Sequence, residues 1–137
     1  MRRLMPVVLW AAGLLVLLEI VGALASRPLG FPYPTLGAVS LLIYATVGLL
    51  GALRAGFVPG VLGAGLVGLV DGSLGPLGAW FVGPGPLSVT INEPRVFAYR
   101  IAVVTAAAMA AGVLGALAGG WVERRRAFRN GSRAVSR

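Results

Sequence analysis

Glu19, Asp71 and Arg100 are the residues of this sequence best placed to do chemistry, because each interrupts a long apolar run. A charge inside such a run is costly unless it is paired, hydrogen-bonded or used, for instance as a proton or cation site. Tyr44, Thr105 and Ser73 are the neutral polar residues placed to meet Asp71. What the chain lacks closes off other chemistries. It has no Cys, no His and no Lys, all twelve basic residues being Arg. Thiolate and imidazole metal sites, Cys–His and Ser–His nucleophiles, Schiff bases and a P-loop lysine are therefore excluded. No nucleophile–base pair stands out, so no catalytic residue, metal or cofactor is expected. Gly63-Ala64-Gly65-Leu66-Val67-Gly68 fits the spacing of a dinucleotide-binding loop, but it lies inside an apolar run without the strand that such a loop follows.

The elements that must position these residues are membrane spans. The sequence is 58% hydrophobic and 12% charged, with a mean hydropathy of +0.90. Soluble domains carry about 25% charged residues, so the solvent for this surface must be lipid. Four continuous runs, 4–25, 35–53, 57–82 and 96–122, each approach or exceed the roughly 20 residues that cross a bilayer as a helix. The expected fold is an all-α membrane protein: a compact bundle of four transmembrane helices forming a single integral membrane domain over residues 1–137, with a basic tail at 123–137. Ser26-Arg27-Pro28 and Pro32-Tyr33-Pro34 bound the first loop, Arg54-Ala55-Gly56 makes a tight second turn, and Gly83 to Arg95 forms the third. Asn92 is placed to cap the fourth helix, with Pro94 in its first turn. Arg2-Arg3, the first run and Ala23-Leu24-Ala25 also fit a secretory leader, but the run is long and Glu19 precedes the small-residue site, so the span is read as retained.

Arginine sets the orientation. Arg2, Arg3, Arg54, Arg124, Arg125, Arg126, Arg129, Arg133 and Arg137 fall on one side of the spans, and Arg27, Arg95 and Arg100 on the other. This bias puts both termini in the cytoplasm. A net charge of +8 and a pI near 11.7 would suggest nucleic acid in a soluble protein. Here span ends account for the charge, and the partner is the bilayer. Arg124, Arg125, Arg126 and Arg129 are placed to contact anionic lipid at the cytoplasmic face, each gaining about 1 kcal/mol. Arg129 to Arg137 are expected to be mobile. The Arg-only usage points to a GC-rich bacterial genome, hence to an inner membrane.

Small residues at every fourth position let membrane helices approach closely. The third span has Gly56, Gly60, Ala64, Gly68 and Gly72; the fourth has Ala108, Gly112, Ala116 and Gly120, with a second row at Ala107, Ala111, Gly115 and Gly119. These surfaces suit packing within the bundle or contact with other membrane subunits or further copies of the chain. Pro76 predicts a kink near Gly72, directly after Asp71.

Depth sorts the polar residues into two layers. At about 1.5 Å per residue, Tyr44, Asp71 and Thr105 lie about 14 to 16 Å below the outer edge, and Glu19 and Arg100 about 6 to 9 Å below it. The expected contacts are Glu19 with Arg100, and Asp71 with Tyr44, Thr105 or Ser73.

Glu19-Ile20-Val21-Gly22 and Pro34-Thr35 are similar to the first two spans of the small multidrug resistance transporters, which also have about four spans in a short chain. That resemblance implies a proton-coupled, substrate-binding role for Glu19. The glycine-rich third span with Asp71 departs from the family. Two functions are therefore expected: a non-enzymatic accessory, assembly or scaffold subunit of a membrane complex, or a small oligomeric proton- or cation-coupled transporter or channel using Asp71, Glu19 or both.

Overall fold

A computed structural model describes residues 4–29, 34–82 and 93–134, and it is all-helical among them. The helices are α1 (Met5–Leu29), α2 (Pro34–Ala55), α3 (Phe57–Val82) and α4 (Pro94–Ala134). Each contains a stretch long and apolar enough to cross a membrane. Helix is the conformation such segments must take, because lipid offers the backbone no hydrogen-bond partner.

Two helix ends lie well beyond those the sequence predicts. α1 runs through Ser26-Arg27-Pro28 to Leu29 instead of stopping at Ala25. α4 begins with Pro94 in its first turn, as the sequence predicts, and the Phe97 amide donates to the Glu93 carbonyl at 3.0 Å. Proline suits that position because the amide it lacks would find no partner there. The cap predicted at Asn92 lies outside the described residues. α4 also continues through Arg129 to Ala134, where a mobile tail was expected. The third run gives α3 over 57–82 as predicted, and α3 continues through Pro76, which is fully buried.

One residue joins α2 to α3. Gly56 has a φ of 100°, a conformation that costs side-chain-bearing residues energy and glycine almost none. Its amide closes α2 onto the Ala52 carbonyl at 3.0 Å, and its carbonyl accepts the Gly60 amide of α3 at 3.1 Å. Gly56 is therefore a turn residue, exposed, and not the first member of the α3 packing row.

α4 lies against both α2 and α3, and α1 rests mainly on α3; α1 and α4 do not pack on each other among the described residues. Glycine sets the closest approaches. At Gly48 and Gly115 a methyl group would overlap the backbone of Gly112 and of Ala45, respectively, so α2 and α4 touch backbone to backbone. Gly60 abuts α2, while Ala64, Gly68 and Gly72 face Gly112, Ala108 and Ile101 of α4. Ala116 is buried in the same seam. Gly120, predicted as part of it, faces open space. The core joins Ala11 and Leu15, Tyr44 and Val47, Ala64 and Val67, and Ala108 and Ala111, two from each helix. Large apolar side chains cover the outside, among them Trp10, which is 82% exposed.

Candidate polar site inside the bundle

The charged residues flagged by the sequence lie on the packed faces of their helices. On α1, Ala11, Ala12, Leu15, Glu19 and Gly22 form one buried stripe at three- and four-residue spacing. Glu19 continues that stripe, and only 9% of it is exposed. Tyr44 is in the buried face of α2, four residues from buried Ser40. Asp71 of α3, 5% exposed, follows Ala64, Val67 and Gly68 on the face that meets the other helices. Arg100 and Thr105 come from the first part of α4.

The Tyr44 hydroxyl donates a hydrogen bond to Asp71 Oδ2. Arg100 Nη2 stands 3.6 Å from Glu19 Oε1, close enough for an ion pair but longer than a good hydrogen bond. Because α1 and α4 do not pack together, this ion pair links two helices that otherwise stand apart. Among the described residues, Arg100 Nε, Thr105 Oγ1 and Asp71 Oδ1 are buried with no hydrogen-bond partner. Ser73, predicted as a partner of Asp71, turns back on its own helix and donates to the Leu69 carbonyl at 2.6 Å and the Val70 carbonyl at 3.2 Å. A serine inside a helix often satisfies itself in this way, and in lipid nothing else competes for the hydroxyl.

The two predicted layers adjoin. Glu19 packs against Gly75 and Ile20 against Gly78, so Glu19 stands about one helical turn from Asp71 toward the Val82 end of α3. Arg100 reaches Glu19 from α4, where the neighbouring Ile101 packs against Gly72.

Gly75, on the helical face that it shares with Asp71, is where the acids meet. Glu19 Cδ lies 3.4 Å, and Asp71 Oδ1 3.5 Å, from the point where a Gly75 Cβ would stand, so the two groups are at most about 7 Å apart. The missing side chain makes room for them. The sequence places Gly75 with Ala64, Gly68 and Gly78 on the close-packing face of Asp71, as four-residue spacing requires. The cluster thus contains two carboxyls and one guanidinium. At an effective dielectric near 20, attraction at 3.6 Å is about 5 kcal/mol and repulsion between charges up to 7 Å apart is at least about 2 kcal/mol. One arginine can hold one carboxylate well; a second ionised acid beside it has no cation of its own.

Among the described residues, no group of three or more His, Cys, Asp or Glu side chains could hold a metal ion. Two shallow, mostly apolar grooves adjoin Trp10, one along α1 and one between α1 and α2, and no residue of the cluster lines either. Arg124, Arg125 and Arg126 are exposed on the last part of α4, and the Arg125 guanidinium stacks 3.7 Å above the Trp121 ring. The side chain of Arg129 lies outside the described residues.

A further feature of α4 is also absent from the sequence reading. Ala98, Ala102, Ala106 and Ala110 form a third row of small residues, and all four are exposed. The pattern is legible as a four-residue repeat, but the two buried alanine and glycine rows of the same helix hide it. No protein-family model matches the chain, and no curated protein or solved structure shows significant similarity to it.

Proposed function

We propose that this chain is a non-enzymatic accessory, assembly or scaffold subunit of a larger complex in the bacterial inner membrane, with both termini in the cytoplasm. The observation that carries the reading is the exposed alanine row of α4. Membrane helices associate through close backbone approach at small residues, and Ala98, Ala102, Ala106 and Ala110 offer more than three turns of such a surface that nothing among the described residues covers. The glycine and alanine rows that build the bundle are already used on α2 and α3. Arg54 and Arg124 to Arg126 at one end of the helices support the orientation. The test is purification in mild detergent with mass identification of whatever remains bound. Ala102→Leu with Ala106→Leu should release the partner, or separate the copies of a homo-oligomer, while the bundle stays folded. A wild-type chain that purifies as a lone monomer, or an assembly unaffected by the double substitution, would sink the reading.

A second reading is favoured by the unpartnered Oδ1 of Asp71: an oligomeric proton- or cation-coupled transporter or channel. It predicts that Asp71→Asn or Glu19→Gln abolishes flux in proteoliposomes without unfolding. Unchanged flux in both variants refutes it.

A further inference from the structure

We propose that Glu19 and Asp71 together form a single proton-binding site inside the bundle, filled at neutral pH, with Arg100 balancing the one negative charge that remains. The inference concerns the resting state of the cluster and does not depend on either function proposed above.

Charge and geometry carry it. Both residues are buried, and both carboxyls approach the space left open over Gly75. The groups that meet them are Tyr44 from α2 and Arg100 from α4, with Ser73 of α3 turned away. Among the described residues Arg100 is the only cation there, so two ionised acids would leave an uncompensated charge buried between membrane-spanning helices. Such a charge is removed by taking up a proton rather than by being tolerated. Asp71 Oδ2 accepts from Tyr44, while Oδ1 has no partner although it is buried beside Glu19. A protonated carboxyl donates as well as accepts. One proton therefore removes the excess charge and adds a donor where an oxygen lacks one. A sodium ion would balance the charge equally, but it would sit beside a guanidinium and needs several more oxygen ligands than the cluster offers.

Infrared spectroscopy of the full chain in nanodiscs tests this directly. Only four acidic side chains exist, and Glu93 and Glu123 are exposed. The wild type at neutral pH should show a protonated-carboxyl C=O band that shifts in D2O and integrates to one acid per chain. Glu19→Gln and Asp71→Asn should each abolish it, because the remaining carboxylate then pairs with Arg100. Arg100→Gln should double it. The wild-type spectrum alone can overturn the proposal: no band, or an area of two acids, contradicts it even where a variant fails to fold. A band that survives Glu19→Gln unchanged also overturns it, since Asp71 would then be protonated by burial alone. So does an absent band together with an unfolding temperature that rises with sodium.

Discussion

Gly115→Ala tests the packing of α2 on α4 with one methyl group. That methyl would overlap the Ala45 carbonyl oxygen and come within 2.8 Å of its carbon and 2.9 Å of the Leu49 nitrogen. These are backbone atoms and cannot rotate aside, so the two helices must separate along the seam that also holds Gly48 against Gly112. Overpacking of a close-packed interior costs about 1 to 3 kcal/mol, against at most about 1 kcal/mol gained by replacing glycine in a helix. The internal control is Gly13→Ala on α1, where nothing lies within 4 Å of the added methyl. It should be neutral or stabilising by up to about 1 kcal/mol. The assay is reversible unfolding in mixed micelles followed by helical circular dichroism. Gly115→Ala should fall below wild type by about 1 to 2 kcal/mol and below Gly13→Ala by about 1 to 3 kcal/mol. Equal stability of the two variants, within about 0.5 kcal/mol, would refute the backbone contact.

Tyr44→Phe should destabilise the bundle by about 0.6 to 1.7 kcal/mol, the range seen for hydrogen bonds between membrane helices, and the loss should vanish in an Asp71→Leu background, which has no acceptor. Replacing Arg124, Arg125 and Arg126 together by Ala should remove about 3 kcal/mol of preference for anionic over neutral lipid, measured by lipid exchange on reconstituted protein. Arg125→Ala alone should also alter Trp121 fluorescence, because the guanidinium covers that ring.

The number of helices was legible because lipid simplifies the problem. A run of about 20 apolar residues has one backbone solution there, and α3 came out at its predicted bounds. Helix ends were less legible. Ser26-Arg27-Pro28 and Arg129 to Ala134 look like breaks or tail in composition, yet the backbone remains helical through both. The offset in depth between Glu19 and Asp71 was legible, since Glu19 packs against Gly75, one turn along α3 from Asp71. Side-chain partners divided by reach. Tyr44 and Arg100 are long enough to bridge helices, so matching depth and opposite character pointed toward Asp71 and Glu19. Ser73 is short and had an acceptor on its own helix. Repeats of small residues revealed which faces allow close approach, but not which are used: Gly56 became a turn, Gly120 faces open space, and the alanine row from Ala98 to Ala110 went unseen.

The central claim is that polar side chains from all four helices meet in one buried cluster. Its most direct test is the double-mutant cycle of Glu19→Gln and Arg100→Gln, because the Glu19–Arg100 ion pair joins two helices that do not otherwise pack together. Arg100→Gln should be the more damaging single change, since it strips two buried carboxyls of their cation. Adding Glu19→Gln should restore much of the loss, with a coupling energy above about 1 kcal/mol. Effects that simply add, within about 0.5 kcal/mol, would show that the two side chains do not meet and would contradict the cluster.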